Sequence, residues 1–326
     1  MHPHTGVRVE APGRLHMGFL DMDGSLGRHF GSVGIGLEEI RTTLRLEPSE
    51  TLTVEGPDSE RALLTAKKLE EQLGRPLPAK IQVEQCIPPH SGLGSGTQMA
   101  LATGVGLSFL HGLDLKPAEI AERCGRGRRS GIGIAAFEAG GFIVDAGRND
   151  QTQIPPVISR LPFPPAWRCL ILLDPTHKGI HGPEEIAAFK ALPPFPRETA
   201  AQLCHELLMQ GLPAIVEEDI ARFGTVIQNL QCIVGDHFAQ AQGGRFTSPK
   251  VANALLELER AGAVGIGQSS WGPTGFCLVE SPKVAKDLVE KVLTHPWTQE
   301  GLEIRIATPR NHGARITTIT HGIEQQ

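Results

Sequence analysis

The stretch Ile87-Pro88-Pro89-His90-Ser91-Gly92-Leu93-Gly94-Ser95-Gly96-Thr97-Gln98 carries the strongest chemical signal in the chain. Three glycines in five residues let backbone N–H groups turn toward one point and let a ligand come close. Ser95 and Thr97 add hydroxyl donors. The loop follows an expected strand and opens an expected helix, whose first turn offers unpaired N–H groups and a partial positive charge. Gly92, Leu93, Gly94, Ser95, Gly96 and Thr97 therefore form a candidate anion site, suited to phosphate or pyrophosphate. The pattern is neither a Walker loop, which needs Gly-Lys-Ser/Thr, nor the Rossmann spacing. A glycine turn capped by Ser95 is the simpler alternative.

An anion site needs elements to hold it. The 326 residues suit about two domains. A 40% hydrophobic share is enough for real cores, and the 38 glycines and 25 prolines fall short of the ~25–30% that marks a disordered chain. No run approaches the ~18 apolar residues of a membrane span, and Met1-His2-Pro3-His4 opens no signal peptide. The formal charge of −5, without Lys/Arg clusters, argues against nucleic-acid binding. The six cysteines stand singly, without CxxC, and read as buried thiols of a cytoplasmic protein.

Strand and helix signals alternate in the first half: strands in 7–20, 42–46 and 80–86, helices over 58–73, from Ser95, and near 117–124, and a strand over 141–145. Pro155, Pro156, Pro162, Pro164 and Pro165 break the pattern and predict a linker over 151–167. The second half opens on a buried strand at 168–173. Helices are expected around 183–191, 196–210, 213–234, 248–262 and 281–294, with strands at 263–267, 274–279, 302–307 and 314–319. The prediction is an α+β protein of two lobes, 1–150 and 168–326.

Pro88 to Thr97 resembles the Pro-x-x-x-Gly-Leu-Gly-Ser signature of the GHMP kinase superfamily. Ala11-Pro12-Gly13-Arg14-Leu15-His16 resembles its first-strand motif, and Gly265 to Gly272 lies where its third glycine-rich loop stands. The resemblance implies an N-terminal lobe with a left-handed βαβ unit and a ferredoxin-like C-terminal lobe. Mevalonate-type kinases carry Ser-Gly-x-Asp after the second loop, whereas Ser130-Gly131-Ile132-Gly133 here ends in a residue that can neither accept a proton nor hold a cation. Across most of its length the chain instead resembles the β-ribofuranosylaminobenzene 5′-phosphate synthases of methanopterin biosynthesis. The matching stretches include Arg14-Leu15-His16, Leu20-Asp21, Gly24 to Arg28, His90 to Gln98, Gly125-Arg126-Gly127, Phe137 to Asp145 and Gly267 to Pro273. Arg128-Arg129 departs from the smaller residues expected there, two added cations that either alter phosphate affinity or simply face solvent.

That family joins 4-aminobenzoate to phosphoribosyl pyrophosphate and releases carbon dioxide and pyrophosphate. The resemblance therefore implies these two partners, Mg²⁺ or another divalent cation without identified protein ligands, no nicotinamide or flavin, and a homodimer that binds neither nucleic acid nor membrane. The catalytic candidates are Lys178, His16 and Asp21. Lys178 sits in Asp174-Pro175-Thr176-His177-Lys178-Gly179-Ile180-His181, beyond a buried strand, and suits a carboxylate or pyrophosphate; the plainer reading is a surface cation. Arg14 and His16 share a strand face and could bind phosphate or carboxylate. Asp21 and Asp23 suit either a cation or a turn. Substrate-binding candidates are Arg14, Arg28 (a clamp for a 5-phosphate), His90, Ser130, Gln268, Ser269 and Trp271, the last offering a ring face or anchoring a core. Glu138 and Asp145 read as structural acids.

Overall fold

The computed structural model describes residues 5–179, 182–294 and 301–320, with the backbone alone for 183–186 and Thr320. Two long strands set the frame. β1 (Thr5–Asp21) and β2 (Phe30–Pro48) pair antiparallel, with register shifts at Pro12/Gly13 and His16/Gly18. The first shift changes which face the alternating side chains bury. Val7, Val9 and Ala11 enter one core, while Leu15, Met17 and Phe19 enter another.

Around this pair lies an eight-stranded sheet. β3 (Thr53–Glu55) and β4 (Ala79–Gln85) run parallel and are joined by α1 (Ser59–Leu73), which gives the βαβ unit beside β2. α2 (Ser95–Leu110) follows the glycine-rich loop and is buried along most of its length. α3 (Pro117–Arg123) and α4 (Ile132–Glu138) pack nearby, and β5 (Phe142–Asp145) joins β2.

Inside the stretch expected as a linker, β6 (Val157–Leu161) pairs with β5. Its prolines flank the strand rather than interrupt it, so the ladder loses no donor.

The second sheet runs β10–β7–β9–β8, all antiparallel, from β7 (Arg168–Leu173), β8 (Val264–Gln268), β9 (Gly275–Val279) and β10 (Glu303–Ala307). This is the ferredoxin-like order. The chain thus adopts a mixed fold of two sheets with packed helices, as the α+β reading expects. The later helices include α5 (Gly182–Ala191), α6 (Arg197–Glu206), α7 (Leu212–Val216), α8 (Ile220–Gln242), α9 (Pro249–Arg260) and α10 (Pro282–Val292).

One core joins the sheets. Leu15, Val33 and Ile35 from the first meet Ile171, Phe276 and Leu278 from the second, with Phe223, Ile227 and Leu230 of α8 among them. The chain then returns to the first sheet. β11 (Pro309–Arg310) pairs with β2, and β12 (Arg315–Thr320) covers the edge of β1, Thr5 opposite Thr320.

The helix break expected between 210 and 213 falls later. A π turn over Leu207–Gly211 absorbs the missing N–H of Pro213, so α6 runs on into α7. The chain breaks at Glu218, whose φ is 57°, and Asp219 restarts it by accepting the Arg222 N–H at 2.9 Å.

Candidate active site

The glycine-rich loop reaches helix α2 through two left-handed residues, Gly92 (φ 80°) and Gly94 (φ 84°). Thr97 and Gln98 donate their N–H groups to Gly94 O at 3.1 and 3.0 Å. The N–H groups of Ser95 and Gly96 precede any intrahelical acceptor. Leu93 turns its side chain into the core, while its carbonyl accepts the Arg14 N–H. Arg14 also donates through its guanidinium to Gly92 O, so the first strand braces the loop from below.

Two cavities meet above this loop. One, of about 410 Å³, is lined by Gly92, Gly94, Ser95, Gly96 and Thr97, with His90, Arg61 and Trp271 at its sides. The other, of about 580 Å³, is lined by Arg128, Arg129, Arg148, Lys190, Ser130 and Gly133, with Phe19, Phe30, Phe189 and His16. Arg14, Thr97, Arg126 and Ser270 line both and form their shared wall. Among the described residues no carboxylate lines either cavity. Arg126 packs over Gly96, its Nε is buried without a partner, and burial and then the nearby Arg61 push its pKa below the usual arginine value. Cations gathered without carboxylates leave a positive field that a polyanion would neutralise.

Strain gathers here too. Phe30, His90 and Ser270 line the cavities with φ of 79°, 56° and 58°, a region that costs energy for residues with a Cβ.

Ser269 ties three elements together. Fully buried, its hydroxyl donates to Gly92 O at 2.7 Å and accepts the His16 N–H at 3.0 Å. Ser270 N–H then donates to His16 O at 3.2 Å. His16 is 4% exposed, and its Nε2 has no partner. Burial, reinforced by the Arg14 guanidinium, pushes its pKa down to about 3. It is a neutral imidazole and cannot serve as a cation for phosphate.

Ser130 Oγ lies 2.7 Å from Ser32 Oγ and donates to Asp145. Asp145 also accepts from Ser32 and from the N–H groups of Gly131 and Gly147. Burial raises its pKa, and these bonds oppose the rise. It holds the loop before α4 from beneath, the structural part expected of it.

Several expected site residues stand elsewhere. Asp21 Oδ1 accepts the N–H groups of Asp23 and Gly24 at 3.0 Å, so it closes a turn away from both cavities. Arg28 donates to Ala146 O and Gly147 O at 2.9 and 2.8 Å and pins that loop instead of facing a cavity. Gln268 is spent on Gln231, Thr247 and Gln242 beneath the third loop. Trp271 is buried against Phe238, with ring centroids 4.5 Å apart, and shows one side to the loop cavity.

Lys178 is exposed and lines neither cavity. Its neighbour Gly179 does the packing, donating to His90 O at 3.3 Å. Ile180 and His181 lie outside the described residues. Asp174 is held by Ser248, Thr176 and His177 as a structural knot.

Sequence reasoning passed over Arg126, Arg148 and Lys190, which line the cavities, and left Arg129 either altering phosphate affinity or facing solvent; its guanidinium lies 4.6 Å from the Phe189 ring centroid. The sequence signal available was Gly125-Arg126-Gly127-Arg128-Arg129, a glycine-spaced arginine run before a helix. Among the described residues there is no group of three or more His, Cys, Asp or Glu that could hold a metal ion. No helix among them is long and apolar enough to cross a membrane.

Known proteins place the chain in a family. Residues 60–141 match the GHMP kinases N terminal domain, and residues 212–297 match the GHMP kinases C terminal model. The chain is 35% identical to a beta-ribofuranosylphenol 5′-phosphate synthase of Archaeoglobus fulgidus, over 95% of this chain and 99% of that protein. It is 33% identical to the protein of the same name from Methanothermobacter thermautotrophicus, over 83% and 88%. A homoserine kinase crystal structure from Cytophaga hutchinsonii superposes with a TM-score of 0.66 at 16% identity, covering 96% of this chain and 97% of that one, and shows the shared fold. With two GHMP kinase domains and near-full-length relatives at this identity, the chain belongs to the beta-ribofuranosylphenol 5′-phosphate synthase family of enzymes.

Proposed function

We propose that the protein transfers the phosphoribosyl group of phosphoribosyl pyrophosphate to a ring carbon of an aromatic acid. The observation that carries this reading is the pair of cavities joined along Arg14, Thr97, Arg126 and Ser270. One donor with anionic groups at both ends would span them. Its pyrophosphate would lie on the Gly92–Thr97 backbone, its 5-phosphate among Arg128, Arg148 and Lys190, and its anomeric carbon at the shared wall.

The names of the relatives give a ribofuranosylphenol 5′-phosphate as their product. A hydroxybenzoate acceptor leads to a phenol, whereas the 4-aminobenzoate expected from sequence leads to an aminobenzene. The two differ at one ring substituent and undergo the same bond changes. The ring carbon bearing the carboxylate attacks the anomeric carbon as its bond to pyrophosphate breaks. The bond to the carboxylate then breaks, its electron pair restores aromaticity, and carbon dioxide leaves. No hydride moves.

The guanidinium groups of Arg126 and Arg14 carry countercharge for the departing pyrophosphate. The rings of Phe19, Phe30 and Phe189 keep water from the anomeric carbon, where it would compete as nucleophile. Gly133 leaves no carboxylate to activate an acceptor hydroxyl, as a kinase of mevalonate type requires. In this reading the enzyme works in the cytoplasm, in the assembly of methanopterin.

The test is product release from phosphoribosyl pyrophosphate with 4-hydroxybenzoate or 4-aminobenzoate. Equimolar pyrophosphate and carbon dioxide are expected. ATP consumption with homoserine or mevalonate, and no pyrophosphate from the aromatic acids, would overturn the assignment.

A further inference from the structure

The larger cavity is chemically mixed. Beside the cations Arg128, Arg129 and Arg148, its lining carries three aromatic rings, Phe19, Phe30 and Phe189, and the buried imidazole of His16. The His16 ring meets Phe19 edge-on at 4.6 Å between centroids. Its buried Nε2 has no hydrogen-bond partner, a condition that costs free energy. The backbone of His16 is fixed from both sides by Ser269 Oγ and Ser270 N–H, so the ring has little freedom to seek a partner elsewhere. A buried polar atom held in place in a cavity lining calls for a ligand.

A flat ring with a carboxylate at one end and a neutral hydrogen-bonding group at the other matches this division. The carboxylate faces the shared wall of Arg14 and Arg126, where the anomeric carbon would stand, and the opposite substituent reaches His16. We propose that His16 selects the aromatic acceptor by accepting a hydrogen bond at Nε2 from the ring hydroxyl opposite the carboxylate. The inference rests on the synthase reading and adds the acceptor's orientation and the residue that chooses it.

Burial and Arg14 keep the imidazole neutral, its pKa pushed down to about 3, so with the ring proton on Nδ1 its Nε2 lone pair is free to accept. A phenol donating to that nitrogen gains electron density at the ring carbon opposite, which is the carbon that must attack. His16 thereby favours a hydroxyl over an ether or a bare C–H, and does so without taking the proton away.

The experiment is calorimetric titration of the wild-type enzyme with 4-hydroxybenzoate, 4-methoxybenzoate and benzoate, repeated on His16→Phe and His16→Gln. The wild type should bind the hydroxylated ring at least about tenfold more tightly than the other two, in line with the loss of one buried hydrogen bond. His16→Phe should bind all three within about threefold of one another, while His16→Gln, which keeps an acceptor, should recover part of the preference. His16→Phe also removes an orphaned polar atom, so its urea midpoint should not fall. Equal binding of the three rings by the wild type, or an undiminished preference in folded His16→Phe, overturns the proposal. If the preference holds but no aromatic acid releases pyrophosphate, the ring seat stands and the synthase reading falls.

Discussion

The hydroxyl of Ser269 donates to the carbonyl of Gly92 at 2.7 Å across 177 residues of sequence. It joins the third loop of the second lobe to the phosphate loop of the first, and its other side accepts the His16 N–H. One small side chain thus sets the distance between the loop that would hold pyrophosphate and the residue that would meet the acceptor. A site split over two lobes is only as well organised as such crossings.

Ser269→Ala removes both bonds and leaves a buried N–H and a buried carbonyl with fewer partners. We expect a stability loss of about 1–3 kcal/mol, read as a lower urea midpoint, together with weaker binding of phosphoribosyl pyrophosphate. Unchanged affinity in a destabilised variant would show that the crossing serves folding alone.

Gly92 makes a sharper case. A Cβ there would stand 2.3 Å from Ser269 O, on a backbone with φ of 80°. At Gly74, after α1, φ is 63° and a Cβ would meet nothing within 4 Å. Gly74→Ala therefore measures the left-handed penalty alone, about 1–2 kcal/mol. Gly92→Ala should cost clearly more and should abolish measurable turnover. Equal costs in denaturant unfolding would mean that the third loop moves aside freely.

The glycine-rich loop was readable because its shape depends on backbone, and backbone freedom is written in glycines. The βαβ unit around α1 was readable for a similar reason: Ala62, Ala66 and Leu69 recur at helical spacing and all are buried. Side chains that act through distant partners were less legible. Arg28 and Asp21 look like ligands in a one-dimensional reading, yet each is consumed by backbone groups, of the 146–147 loop and of its own turn. Arg126 stood in the sequence only inside the stretch Gly125-Arg126-Gly127, yet in the fold it lines both cavities. β6 hid among prolines because they flank it, and β12 was expected in the second lobe although it completes the first sheet.

Arg126 and Lys178 separate the two readings of cationic residues. Arg126→Met should raise the KM for phosphoribosyl pyrophosphate by roughly ten- to a hundredfold, the worth of a lost charge-assisted hydrogen bond. Its stability should hold or rise, because a buried charge near Arg61 is removed. Lys178→Met should stay within about threefold of wild type, as surface substitutions usually do. Steady-state kinetics with the reverse ranking would return the catalytic role to Lys178.

A carboxylate mutation at Gly133 probes the sign of the field. Gly133 lies in the first turn of α4 on the arginine-rich cavity, with ordinary contact distance for a Cβ except toward Thr97 Cγ2 at 3.3 Å. Gly133→Asp should fold and should weaken phosphoribosyl pyrophosphate at least about tenfold, because it places a carboxylate against the incoming anion. Raising the salt concentration should narrow the gap between variant and wild type. Undiminished affinity would place the 5-phosphate elsewhere.

Asp174 predicts a pH dependence of stability. Burial alone would raise its pKa, but hydrogen bonds from Ser248 and Thr176, with His177 alongside, outweigh it and bring the pKa down to about 2. A carboxylate held below its unfolded value of about 3.9 stabilises the fold at neutral pH by roughly 2 kcal/mol. That contribution is complete above the unfolded pKa and disappears as pH falls through the folded one. Asp174→Asn should therefore be less stable than wild type by about that amount at pH 7. The gap should start to narrow below about pH 4 and be largely gone near pH 2. His16 acts in the same direction over a higher range: its folded pKa of about 3 lies under the ordinary histidine value, so the unfolded chain binds a proton first and acid weakens the fold from about pH 6.5 downward. Urea unfolding of wild type, Asp174→Asn and His16→Phe across pH 3–7 separates the two. The histidine variant should flatten the slope between pH 4 and 6, where Asp174→Asn leaves it nearly unchanged, and a gap for Asp174→Asn that ignores pH would trace its cost to lost packing rather than to charge.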